Sequence, residues 1–113
     1  MSSDRATSQL LLSAATGTGA GTVNARTSKN KTVQARGATT NGTGAATIYI
    51  QGTNFSNAAT ATDWETICTL SLTLGTTVTQ TSQVIEANWL FVRANVNAIS
   101  GTGASVDVAV GST

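Results

Sequence analysis

Residues 89–110 read WLFVRANVNAISGTGASVDVAV, and the fold class turns on them. In the first half, Leu90, Val92, Ala94, Val96 and Ala98 fall on one face. Trp89, Phe91, Arg93, Asn95 and Asn97 fall on the other. Strand side chains alternate with period two, so this half reads as a strand with one buried face. Ser100-Gly101-Thr102-Gly103 follows as a turn. Val106, Val108 and Val110 then alternate with Ser105, Asp107 and Ala109. Two alternating runs around a Gly-bearing turn read as a β-hairpin. On that reading Asp107 lies beside Arg93 and pairs with it. A hairpin alone is marginal in water, so its apolar face calls for a second sheet.

Working outward, the same alternation recurs. In residues 45–51, AATIYIQ, Ala46, Ile48 and Ile50 point in, and Thr47, Tyr49 and Gln51 point out. In residues 64–74, WETICTLSLTL, Cys68, Leu70, Leu72 and Leu74 share a face with Trp64. Residues 77–85 form a Thr-rich strand or irregular edge with Val78 and Val84 apolar. Shorter strands are expected at 22–26 and 31–36, joined by a polar turn at 27–30. Residues 37–44 (GATTNGTG) and 52–62 (GTNFSNAATAT) read as loops, the second holding a lone Phe55. Seven or eight short strands between turn signals, without a helical pattern, argue for a β-sandwich or barrel; the expectation taken forward is an all-β, single-domain antiparallel β-sandwich.

The N-terminal stretch stands apart. Leu10, Leu11 and Leu12 form an apolar run that a Gly-rich connector at residues 16–21 separates from the rest. The expected organisation is an extended arm and connector over residues 1–21 and a sandwich over 22–113. The arm is expected to pack on another chain by adding a strand to its sheet edge. The competing reading makes it this domain's own edge strand.

Composition narrows the function. The 113 residues carry a net charge of +1 with only 10% charged residues, and Thr, Ala, Gly, Ser and Asn fill the difference. There is no bulk field for nucleic acid or an anionic membrane. A surface of hydroxyls and amides suits a protein packed against others; it equally describes a plain, weakly charged β domain. The single cysteine, Cys68, excludes an intrachain disulfide and reads as a small buried hydrophobe. Histidine is absent, which removes the usual general base and the commonest metal ligand. The acids Asp63, Glu65, Glu86 and Asp107 make no ligand cluster. No G-x-G piece leads into Gly-Lys-Ser/Thr or a helix. No catalytic residue, cofactor or metal is therefore expected. The start of the chain lacks the apolar core of a signal peptide, so synthesis in a cytoplasm is the simplest expectation.

Two groups remain as candidate contacts. Four of the six basic residues, Arg26, Lys29, Lys31 and Arg36, fall within eleven positions. They read either as a contact for an acidic surface or as charges guarding an edge. Trp89 and Phe91 form an outward aromatic pair, offered to a partner or covered within the domain.

One combination of motifs resembles a known family. Ile48-Tyr49-Ile50-Gln51-Gly52-Thr53-Asn54 is followed by Asp63-Trp64. Trp89, Val92-Arg93-Ala94, Val96 and Ser100-Gly101-Thr102-Gly103-Ala104 then lead into Val106, Val108 and Val110. This pattern, over about residues 45–111, is similar to small β-sandwich virion structural proteins of tailed bacteriophages, of the head decoration (cement) type. It departs from the family at residues 55–62, where the loop is longer. The resemblance implies a jelly-roll-like sandwich and a structural role on the capsid surface of the virion. It implies binding to the major capsid protein and homo-oligomerisation as a dimer or trimer, with no membrane and no specific nucleic acid as partner. Leu10, Leu11, Leu12, Arg26, Lys29, Lys31, Trp89 and Phe91 are the residues expected to meet partners. The alternative is a tail or fibre module that binds a host-surface glycan through Tyr49, Trp64 or Phe55.

Overall fold

A computed structural model describes residues 7–23, 31–56, 63–85 and 89–112. The described residues form eight strands: β1 (Thr7–Ala15), β2 (Gly19–Ala20), β3 (Lys31–Ala38), β4 (Asn41–Thr53), β5 (Glu65–Leu74), β6 (Thr79–Ile85), β7 (Phe91–Thr102) and β8 (Ser105–Ser112). They make two four-stranded antiparallel sheets, ordered β1-β8-β3-β6 and β2-β7-β4-β5. Alternation puts Val33 and Ala35, Ala46, Ile48 and Ile50, Leu70, Leu72 and Leu74, Val92, Ala94 and Val96, and Val106, Val108 and Val110 into one shared core. The polar residues between them line the two outer faces. Short Val, Ile and Leu runs alternating with Thr, Ser and Asn can form only such half-buried strands.

The strand order corrects the opening expectation. β7 and β8 are not a hairpin. β7 pairs with β2 and β4, β8 with β1 and β3, and the turn between them carries the chain from one sheet to the other. Gly101 (φ 117°) and Gly103 (φ 65°) supply the left-handed backbone for this crossing, as they would for a hairpin, so the turn residues alone do not separate the two cases. Among the described strands only β4 and β5, consecutive in sequence, also pair with each other. Asp107 and Arg93 therefore face away from each other on opposite sheets. Asp107 accepts from Arg36 Nε at 3.1 Å and from the backbone N–H of Ala14 at 2.6 Å.

Two β-bulges shift the faces read from alternation. Between β4 and β7 the register steps from Thr47↔Ala98 to Ile48↔Val96. Asn97 is the extra residue, so Ala98 is exposed and Ile99 packs against the core instead. Between β4 and β5 it steps from Ile50↔Cys68 to Gln51↔Thr66, leaving Ile67 extra. Trp64 consequently does not share the face of Leu70 and Leu72.

The N-terminal segment also departs from expectation. β1 pairs with β8 from Thr7↔Ser112 to Ala15↔Val106, as the domain's own edge strand. Two register shifts and a positive φ at Ala14 (48°) let both Leu11 (1% exposed) and Leu12 (8%) enter the core. The connector contributes β2, and its next residues tie the sheets together. Gly21 N–H donates to Ala94 O at 2.9 Å, and Thr22 N–H donates to Leu11 O at 2.8 Å. Residues 37–44, read as a loop, mostly extend β3 and β4. The strand expected at 22–26 is not formed at 22–23, and its remainder lies outside the described residues.

Candidate interaction surface at the loop end

The registers sort the two sheets into two ends. Gly37, Val106, Leu74 and Gly44 meet at one: a Cβ on Gly37 would stand 2.7 Å from Val106 Cγ1 and 3.0 Å from Leu74 Cδ2. The short steps β1–β2, β3–β4, β5–β6 and β7–β8 all turn there. At the other end Lys31 lies between Ile85 and Ser112, while Gly52 lies between Glu65 and Val92. β3, β5 and β7 begin, and β4 and β6 end, at this second end, the loop end.

The chemistry-bearing side chains concentrate at that loop end. Phe55, Trp64, Trp89 and Phe91 sit there, four of the five aromatic residues in the chain. Gly52, Thr53, Asn54, Phe55, Asp63, Trp64, Glu65 and Trp89 line an open groove of about 480 Å³. Phe55 is 64% exposed. Asn54 Oδ1 accepts the Leu90 N–H at 2.9 Å, and Thr53 Oγ1 accepts the Phe55 N–H at 3.2 Å, so both loop entrances are fixed to the groove floor.

Beside the groove, on the outer face of β4 and β7, Arg93 holds the rest in place. Its Cζ stands 4.3 Å from the centroid of the Trp64 ring, a cation–π stack, and its Nε donates to Gln51 Oε1 at 2.9 Å. Burial lowers the Arg93 guanidinium from its usual value, though it stays charged. Gln51 opposite Arg93 is mostly shielded from water for a residue on an outer face. Tyr49 follows on the same face, between Asn95 and Thr69. An aromatic ring stacked by a guanidinium and flanked by amides and hydroxyls can bind planar or polyhydroxylated partners. Among the described residues no three His, Cys, Asp or Glu side chains group to hold a metal ion.

The residues singled out from sequence are scattered by the fold. Leu10 is 52% exposed on the outer face of the β1 sheet, while Leu11 and Leu12 belong to the core. Arg26 and Lys29 lie outside the described residues. Lys31 is 1% exposed, at an inward position of β3, and burial lowers its ammonium below the usual 10.5. Arg36 reaches across to Asp107 on an outer face. Trp89 and Phe91 do not form a pair. β7 begins at Phe91, so period two does not extend back to Trp89, which packs against the core over Gly52. Phe91 stays on the outer face, half-buried opposite Thr53. Burial pushes the Cys68 thiol up from its usual 9.0, in keeping with an inert side chain. The Trp64–Arg93–Gln51 group was not read from sequence. Only the pairing of β7 with β4 brings these residues together, and no local motif encodes that pairing.

Comparison with family models, curated proteins and solved structures finds no match to this chain.

Proposed function

We propose that the fold is a jelly roll and that the protein is a phage virion structural protein, a head decoration (cement) protein that binds the major capsid protein and stabilises the assembled shell. The observation that carries this reading is the strand order. β1-β8-β3-β6 facing β2-β7-β4-β5, with one consecutive pair and crossings elsewhere, is the order expected of a strip of paired strands rolled into two Greek keys. Jelly rolls serve as viral capsid domains and as lectin-like binding domains. The motif resemblance over residues 45–111 and the charge-poor, hydroxyl-rich surface favour the first of these. The role is structural, without catalysis.

The mechanism is mass action. A protein that meets only the assembled shell stabilises that state in proportion to its occupancy. Many copies multiply weak contacts into a strong clamp. The loop end is the face we assign to the shell, because it gathers the aromatic side chains. The test mixes purified protein with empty assembled shells and, separately, with unassembled capsid protein. Saturable binding to shells alone, with a raised shell melting temperature and density on the head of imaged virions, is the expected result. Density on the tail, or no shell binding, would overturn it.

A second reading has one observation in its favour. Trp64, stacked by Arg93 and bordered by Gln51 and the groove, has the aromatic face and polar neighbours that a glycan site requires. A tail or fibre module would bind host-surface glycan there and lose that binding in Trp64→Ala, whereas a decoration protein would bind shells and no glycan.

A further inference from the structure

The four sheet edges of this sandwich are not treated alike. β1 carries two register shifts and the left-handed Ala14, whose N–H is taken by Asp107. β2 is two residues long, and Gly21 and Thr22 beside it bridge the two sheets. β5 is broken by the bulge at Ile67. These are the usual ways of blunting an edge. β6 has none of them. It runs unbroken opposite β3 from Lys31↔Ile85 to Gly37↔Thr79, with no bulge. Its sequence, TQTSQVI, contains no charge and no proline, and Gln80, Ser82, Gln83 and Val84 (58% exposed) are open to solvent.

From this edge we infer that the protein self-associates through β6, pairing antiparallel with β6 of a second copy across a two-fold axis at Ser82, so that the β1-β8-β3-β6 sheet continues into its partner. This inference is independent of the capsid reading. The strand is self-complementary. Under that symmetry Ser82 meets Ser82, and Gln80 meets Val84. These three residues share the outer face, since Gln80 lies opposite Arg36, Ser82 opposite Gln34 and Val84 opposite Thr32. In an isologous contact the residue on the axis meets its own copy, so a charge there would repel itself. Residues 66–85 carry no charge. Backbone hydrogen bonds supply the attraction, and the partner is therefore another copy of this strand rather than a side-chain pocket.

The test is analytical ultracentrifugation of the full chain with Ser82→Lys and Ser82→Glu, both at an exposed position that leaves the β3 pairing intact. Wild type should show a reversible dimer. Each variant should dimerise more weakly by about fivefold or more, because like charges meet at the axis. An equimolar mixture of the two variants should regain dimer as the mixed species, and thermal melts should show both variants folded. A monomeric wild type, variants as dimeric as wild type, or a mixture that stays monomeric would overturn the inference. So would a monomeric wild type whose binding to shells is lost in Ser82→Lys, since that result gives the edge to the shell protein.

Discussion

Gly52 is a buried glycine on the inner side of β4, and Trp89 lies directly over it. A Cβ on Gly52 would stand 2.6 Å from Cδ2 and 2.8 Å from Cγ of Trp89, and 2.8 Å from Cδ1 of Ile67. Ordinary contact begins at 3.4 Å. Cγ lies on the χ2 axis, so ring rotation does not clear it and the whole indole must lift. A buried indole covers about 150–250 Å². At about 25 cal/mol per Å², that is about 4–6 kcal/mol when fully buried, and Trp89 is half-buried. Losing part of this burial, with overpacking costs of about 1–3 kcal/mol, outweighs what alanine offers. Alanine adds about 0.5–1 kcal/mol by stiffening the unfolded chain. The expected net effect of Gly52→Ala is a destabilisation of about 1–2 kcal/mol, and of Gly52→Val about 3 kcal/mol. Urea unfolding followed by indole fluorescence measures it, and the native emission should shift to the red as Trp89 becomes wetter. In a Trp89→Ala background the cost of Gly52→Ala should fall below about 0.5 kcal/mol, since the obstructing ring is gone. A Gly52→Ala protein as stable as wild type, or one whose cost survives unchanged without Trp89, would refute the placement of the indole.

Three further outcomes follow from the registers. Ala98→Lys should change stability by less than about 0.5 kcal/mol, because the bulge at Asn97 turns position 98 outward, whereas Ala94→Lys should prevent folding by burying a charge. Circular dichroism melts of the two variants decide this, and equal damage from both would remove the bulge. In double-mutant cycles Asp107 should couple to Arg36 by about 0.2–1 kcal/mol, the range of exposed ion pairs, and to Arg93 not at all. Coupling to Arg93 instead would restore the hairpin. Lys31 gives the pH dependence. Its folded pKa is lowered by burial, so it loses its proton at a lower pH than in the unfolded chain. Between those two pH values the unfolded state holds more protons, and stability rises with pH. The burial penalty is fully present below that window and fully relieved above 10.5, the usual value. Urea midpoints from about pH 7 to about pH 10 should rise more in wild type than in Lys31→Met, and parallel curves would exclude a buried ammonium.

The residues that follow strict alternation were legible without the structure. Ile48 and Ile50, Leu70 and Leu72, Val92 and Val96, and Val106 and Val108 are inside as their period demands, because a strand's face is a local property. Pairing is not local. Gly101 and Gly103 permit a turn within a sheet or between sheets, and the choice is made by where β2, β4, β1 and β3 lie. The Arg93 partner changed with that choice. Bulges were equally hidden, since Asn97 and Ile67 look like ordinary strand residues and become extra only against β4. The leucine run misled for a related reason. Three consecutive leucines have no period, and only the irregular pairing of β1 with β8 shows how Leu11 and Leu12 can both be buried while Leu10 is not. At the loop end Phe55 was read as a lone loop aromatic and is 64% exposed, whereas Trp64 was placed on the face of Leu70 and Leu72, and the guanidinium that stacks on it comes from a strand 29 positions later.

The position of β8 bears on how the chain reaches this state. It is the last strand in sequence, yet it lies in the interior of its sheet, hydrogen-bonded to β1 on one side and β3 on the other. During synthesis β1 and β3 therefore have no common neighbour until residues 105–112 have left the ribosome. The other sheet is in a similar position, because β7 separates β2 from β4. Only β4 with β5, and β3 with β6, can pair before β7 emerges. Closure of loops about a hundred residues long precedes the reward of the final contacts, and such topologies fold in milliseconds to seconds rather than microseconds. A ribosome-bound chain halted before β8 should remain protease-sensitive along its length, and the transition to a resistant core should come in a single step once the last strand is free.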